Sequence, residues 1–322
     1  MENSIANRIV KNVDPHNSPD KAKSRFMSEI KNSRVIYLFI LMGFSYYIVF
    51  HFIPMFGIIM AFQDFSPGKG FTGSEWVGLQ NFKDFFQSVY FVRVLRNTVL
   101  LNFYQLLWSF PIPILLAILL NEIRCNPFKH VVQTVSYLPY FISMVVVAGL
   151  VIDFTSKDGL INSIVAFFGG ERFSMLMEPK MFRTIYIASG IWQNAGWGSI
   201  LYIAAISGIN PELYEATDID GAGRFRKIIH VTLPGIMPTI IIMLILNIGS
   251  MMNVSFEKVI LLYSPATYET SDVISSFIYR KGILEANYSY SAAVGLFNSV
   301  INCILLVTTN SISRRLGETS LW

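Results

Sequence analysis

Six stretches of this chain carry no Asp, Glu, Lys or Arg: 35–63, 97–121, 131–152, 184–211, 231–256 and 286–313. Each exceeds the roughly 20 residues a helix needs to cross about 30 Å of hydrocarbon. Inside a bilayer the backbone must satisfy its own hydrogen bonds, which favours helices. The pattern therefore predicts an all-α, polytopic membrane protein with six transmembrane helices.

Finer punctuation falls inside and between these blocks. Pro111 and Pro113 should kink the second span and Pro139 the third, because a prolyl ring displaces the helical ladder. The fifth opens with Leu233-Pro234 and Pro238, and Asn247, Gly249, Ser250 and Asn253 interrupt its apolar run. Residues 64–92 hold turn signals at Gly68, Gly70, Gly73 and Gly78. Within them, Asn81–Phe86 reads as a short helix lying at the membrane interface.

Composition agrees with the pattern: of 322 residues, 53% are apolar and only 14% are charged. The first block follows the polar stretch 1–34, is too long for a signal-peptide core and precedes no small-residue cleavage site, so it should persist as a membrane helix. Cys125 and Cys303 have no neighbour to pair with, and neither a disulfide nor a metal site is expected. A net charge of +4 spread along the chain gives no argument for nucleic acid. Basic residues number 14 on the side of the termini and 11 opposite, and the short loops favour both termini inside. The expected plan is a cytoplasmic tail 1–34, a membrane domain 35–313 and a cytoplasmic tail 314–322.

Residues 214–238, YEATDIDGAGRFRKIIHVTLPGIMP, form a polar island between two apolar blocks. Pro211 and Glu212 suit the first turn of a helix. Asp220-Gly221 should end it, glycine permitting the positive φ of a sharp turn. A second helix is expected at about Ala222–His230. An ordinary cytoplasmic loop with snorkelling basic residues is the plain alternative.

The conjunction of Glu215-Ala216-Thr217, Asp220-Gly221-Ala222-Gly223, Leu233-Pro234 and Pro238 resembles the EAA loop of ABC-importer permeases, over 208–230. The whole chain resembles maltose-type sugar permeases, closest to the complex-oligosaccharide and aldouronate branch. Gly208–Ala216, Phe256–Tyr263, Ser271–Ile274 with Tyr279-Arg280, and Ala293–Ser299 carry that likeness. Thr217 departs from the family's second Ala.

The resemblance implies a type I importer permease fold in a bacterial cytoplasmic membrane. It also implies the partners: a second homologous permease, two ATPase subunits, an extracellular solute-binding protein and an oligosaccharide cargo amid membrane lipid. ATPase coupling would fall to Glu215, Ala216, Asp220, Gly221, Ala222 and Gly223. No Gly-x-x-x-x-Gly-Lys-Ser/Thr occurs, so ATP and Mg are expected on the partner ATPase and no cofactor in this chain.

Polar and aromatic residues within the spans are the candidates for a sugar path: Tyr137, Tyr140 and Ser143; Trp192, Gln193, Asn194 and Trp197; Asn247, Ser250 and Asn253. Aromatics stack on sugar faces while amides bond hydroxyls. The plainer reading is an interfacial aromatic belt and polar bridges between helices. Gly190, Gly196 and Gly198 permit close approach around the Trp192–Trp197 cluster. An ion-coupled secondary transporter would want buried charge in its spans, and a membrane enzyme would want a clustered catalytic set; the sequence shows neither pattern. A peptide or amino-acid cargo remains open.

Overall fold

The computed structural model describes residues 34–315. The expected tails, 1–34 and 314–322, lie outside the described residues except for Arg34, Arg314 and Arg315, which sit in helix ends. The chain divides into two compact units between Gly57 and Ile58, a division the hydropathy pattern does not announce.

In the first unit a helix, Arg34–Tyr47, passes into a π turn, Ile48–Phe52, and a short helical turn, Ile53–Met55. The π turn has a local cause. Pro54 lacks an N–H, and its ring would collide with the carbonyl four residues back, so the ladder widens and Ile53 N–H bonds Ile48 O instead. The large apolar side chains from Val35 to Met55 are exposed, as lipid-facing or partner-facing side chains must be.

The second unit is built around a 29-residue helix, Pro179–Ser207. Packed against it are Phe91–Ser109, Pro111–Glu122, Asn126–Tyr137 and Leu233–Gly249. The last helix, Tyr288–Arg315, lies against Leu233–Gly249. One buried cluster joins Leu101, Phe182, Tyr186, Val259 and Val273; another joins Phe85, Val94, Ile274, Phe277 and Val294. The short helix expected over Asn81–Phe86 is present as Gln80–Gln87. Asn81 fixes it by donating to the carbonyls of Ala61 and Gln63. The only regular strands among the described residues, Gln63–Asp64 and Glu75–Trp76, pair antiparallel beside it.

Among the described residues four helices are long and apolar enough to cross a membrane: Val35–Phe62, Phe91–Glu122, Arg224–Gly249 and Tyr288–Arg315. A bent pair, Asn126–Phe141 with Met144–Phe167, makes five if it is one span. The expected fourth span, 184–211, lies mostly in the Pro179–Ser207 helix, which is long enough but diluted by Gln193, Asn194 and several glycines.

The third span also differs from a straight crossing kinked at Pro139. The chain passes Pro139 in a 3-10 turn, Leu138–Phe141, then becomes extended at Ile142 and Ser143. Ser143 Oγ accepts from Val146 N–H, starting a new helix at 101° to the old one. The cap, more than the proline, sets the break. Likewise, the expected fifth span ends early. Its helix stops at Gly249, and Asn253 lies in the following turn, where its Oδ1 accepts from Asn298 and Asn302.

Residues 256–284 fold back onto the bundle through one buried carboxylate. Asp272 is fully buried and accepts from Arg93 Nη2 at 3.0 Å, Arg280 Nη2 at 2.7 Å and Ser276 Oγ at 3.0 Å. Its backbone carbonyl accepts from Asn97 Nδ2, whose Oδ1 accepts from Arg183. Burial alone would push the Arg280 guanidinium down, but the hydrogen bond and charge of Asp272 leave it above its ordinary value. Removing one member of a buried ion group strands the others. Asp272→Ala should therefore cost about 3 kcal/mol and lower the thermal unfolding midpoint of the detergent-solubilised protein; an unchanged midpoint would show that the clamp carries no stability.

Candidate functional site

Two features of the second unit answer to the two candidate sites. The first is a set of adjoining cavities along the Pro179–Ser207 helix. One, about 390 Å³, is lined in part by Gln105, Ser109, Gln193, Asn194, Asn247 and Lys258. A smaller cavity of about 80 Å³ shares Gln105 and Asn247 with it and adds Asn102, Ser250 and Asn253. A third, about 450 Å³, shares Ile187 and is lined by Tyr104, Trp108, Lys180 and Arg183.

Helical geometry sorts the candidates. Gln193, Asn194 and Asn247 come together on one cavity, and Asn253 lies on its smaller neighbour. Trp192 is elsewhere, against an apolar cavity lined with Val151, Phe154 and Ile185. Trp197 stacks on Tyr140 with ring centroids 4.6 Å apart and planes 5° from parallel. Tyr137 is half-buried and lines none of these cavities. Asn194 and Asn247 each donate to a carbonyl one helical turn back, Gly190 and Met243, which leaves their amide oxygens available.

Gln105, Ser109 and Lys258 of this wall were not among the sequence candidates. Gln105 sits in an otherwise apolar stretch of the second span. Lys258 heads the short helix Phe256–Leu262 and is only 4% exposed. Its ammonium donates to Tyr186 O at 2.8 Å and lies 4.6 Å from the Tyr186 ring centroid. A lysine heading the run Val259-Ile260-Leu261-Leu262 is the signal that could have found it.

The second feature is the polar island. Pro211–Ile219 is helical, with Asn210 Oδ1 capping the Glu212 N–H. The helix ends in a Schellman turn: Ala222 N–H bonds Thr217 O, Gly221 N–H bonds Asp218 O, and Gly221 has φ +68°. The expected second helix begins at Arg224 and does not stop at His230. It continues through a π turn, Ile228–Thr232, into Leu233–Gly249. Pro234 explains that turn as Pro54 explains the first.

Three contacts stiffen the island: the Lys227–Asp218 ion pair, Tyr214 Oη with Thr232 Oγ1 at 3.0 Å, and Ile209 packed where any Gly235 side chain would sit. Thr217, the departure from the motif, donates to Tyr214 O within its own helix. Glu215, Ala216, Asp220, Gly221 and Gly223 are exposed and Ala222 is half-buried. Beside them Ile219 is 88% and Phe225 76% exposed.

The family model described as binding-protein-dependent transport system inner membrane component matches residues 85–318. The chain belongs to this family. It is 42% identical over 298 residues to Protein LplB of Bacillus subtilis, covering 92% of this chain and 94% of that one. It is 41% identical over 301 residues to the polygalacturonan/rhamnogalacturonan transport system permease protein YteP of the same organism, covering 93% and 94%. Among solved structures it resembles a chain of a bacterial alginate ABC transporter in complex with alginate pentasaccharide-bound periplasmic protein. There the TM-score is 0.85 and the identity 42%, over 92% of this chain and all of that one. The protein is thus a multi-pass membrane permease of an ABC importer, a transport component and not an enzyme.

The permease holds its cavity wall together by close backbone approach. A Cβ on Gly196 would lie 1.9 Å from Ser136 O, a contact only hydrogen avoids. Gly196→Ala should lower the unfolding midpoint and the yield of folded protein, whereas Gly149→Ala, with no atom within 4 Å, should change neither. Equal midpoints for the two variants would disprove the close-packing argument.

Proposed function

We propose that this permease passes an oligosaccharide along the cavities beside the Pro179–Ser207 helix, driven by a separate ATPase. The amide-rich wall formed by Gln105, Gln193, Asn194 and Asn247 carries the reading. Neutral amides can donate to and accept from hydroxyls of many orientations, which suits a sugar sliding past rather than held. A cavity of about 390 Å³ falls within the size of small-molecule sites. The likeness to YteP and to the alginate transporter supports a carbohydrate cargo.

In this reading the working unit contains a second homologous permease, two ATPase subunits that bind ATP and Mg, and an external solute-binding protein. The island around Glu215–Gly223 is the ATPase contact, with Ile219 and Phe225 as its apolar anchors. Both termini and the island are cytoplasmic. ATP-driven closure of the ATPase pair pushes the island, and the helix that begins at Arg224 carries the displacement into the membrane.

Three measurements test these assignments. Replacing Asn194 and Asn247 together by Ala should cut oligosaccharide uptake by roughly thirtyfold, since each lost hydrogen bond is worth about 1 kcal/mol; basal ATPase and assembly should survive. Normal uptake in that double variant would move the path elsewhere. Gly221→Val forces a β-branched residue into a left-handed conformation and should uncouple ATP hydrolysis from uptake while leaving insertion intact. Coupled transport at the normal rate would remove the island from the mechanism. In a cysteine-free background, single cysteines at Ser174 and Ser264 should react with an impermeant reagent from outside, and one at Arg226 should not. The opposite pattern would invert the orientation.

A further inference from the structure

We propose that Lys258 is a specificity-determining residue of this path, its ammonium reading carboxylates on the passing cargo. The inference rests on the oligosaccharide reading above and assigns one residue of that path a role in selecting cargo.

The starting observation is a buried lysine without a counter-ion. Lys258 is 4% exposed, and no carboxylate pairs with it among the described residues. One backbone carbonyl, Tyr186 O, and one aromatic face are its partners. An ammonium has three protons to donate, and burying it underpaired opposes folding. Asp272, the buried acid of this region, is instead taken by Arg93 and Arg280. Pure packing would be better served by an apolar side chain of the same length.

Its surroundings supply a ligand-shaped reason. Lys258 lines the polar cavity together with Gln193, which is 5% exposed and whose buried Oε1 has no partner. Gly190 gives the ammonium room, since a Cβ there would stand 3.1 Å from Nζ. A carboxylate arriving beside Lys258 would gain a charge-assisted bond, and sugar hydroxyls could donate to the Gln193 oxygen.

The same sign continues along the path. The adjoining cavity carries Lys180 and Arg183, and Arg183 has a buried Nε with no partner. Of the acids, Glu269 is near enough to act on Arg183 electrostatically, opposed by Arg96, yet it lines neither cavity. The three cavities together present Lys180, Arg183 and Lys258 and not one Asp or Glu. A wall with cations and no acids concentrates anions. Tyr104 and Trp108 beside Lys180 and Arg183 offer flat faces for the apolar side of a pyranose ring.

The test uses the full importer with its binding protein in proteoliposomes, with Cys125 and Cys303 replaced by Ser. Probes are trigalacturonate, trimannuronate and their carboxyl-reduced neutral trimers. The parent complex should import at least one acidic trimer. Lys258→Cys should lower that import by about tenfold, the worth of one charge-assisted bond, while basal ATPase persists. Modification of the thiol by an aminoethyl thiosulfonate, verified by mass, should restore import, and a sulfonatoethyl reagent should not. Should the cysteine variant fail to assemble, Lys258→Arg retaining and Lys258→Met losing acidic import gives the same answer. Undiminished acidic import in Lys258→Cys, or equal effects of the two reagents, overturns the proposal. Import of neutral trimers alone overturns it too but leaves the oligosaccharide reading standing. Import of a peptide and of no sugar removes both.

Discussion

The bundle depends on neighbouring elements coming close to the backbone of one helix. Gly190, Gly196 and Gly198 sit within nine residues of the Pro179–Ser207 helix, and each admits a different neighbour. A side chain at Gly196 would strike Ser136 O, one at Gly198 would press Pro113, and one at Gly190 would press the Lys258 ammonium. The broken third crossing, the proline joint of the second and the short helix Phe256–Leu262 are thereby drawn onto one column. In hydrocarbon no hydrophobic effect drives helices together, so contact through small residues is what association has to rely on. The cavity is the space these three approaches leave between them.

Charge is then divided by use. Asp272 gathers Arg93 and Arg280 and, through Asn97, Arg183, so that residues 256–284 are held to the bundle by an ion-paired network. Lys258, on the same folded-back segment, is left out of it. A structure that already contains a buried acid and spends it on two arginines has not paired its remaining buried lysine. The contrast separates cations that hold the fold from a cation that faces a cavity.

Much of this was legible in the sequence, and the losses have physical reasons. Gly221 was readable because a helix must end with groups that only a left-handed residue arranges well, and Asp220-Gly221 after Pro211 leaves little choice. The uncharged blocks located long apolar helices because hydrocarbon tolerates so few alternatives, although four or five of the six expected crossings pass as spans among the described residues. The break at Ile142–Ser143 was hidden because a capping serine inside an apolar run looks like any small polar residue in a membrane helix. The tryptophans misled for a simpler reason. At 100° per residue, Trp192 and Asn194 stand on opposite faces, so one cluster in sequence becomes an apolar contact and a cavity wall in space. Lys258 escaped because a loop lysine is usually solvated, and only the fold-back of Phe256–Leu262 buries it.

The polar island shows how a local rule becomes a mechanical property. Sequence suggested two short helices about a glycine hinge, but the second has no free end, since it runs from Arg224 through a π turn to Gly249. Proline ordinarily weakens a helix by removing a bond and pushing back a carbonyl. At Pro234 the π turn absorbs both effects over Ile228–Thr232, and the helix continues. The same arrangement stands before Pro54, two residues after the last π residue in each case. Meanwhile Tyr214 reaches Thr232 at the π turn itself, and Asp218 holds Lys227 across the glycine. The first helix of the island is therefore braced against the root of the membrane helix at two heights. Gly221 sets the angle between the two arms, and the braces keep it. In the proposed coupling, a push on exposed Ile219 or Phe225 would move the membrane helix as a lever, because these two braces tie the island to its root.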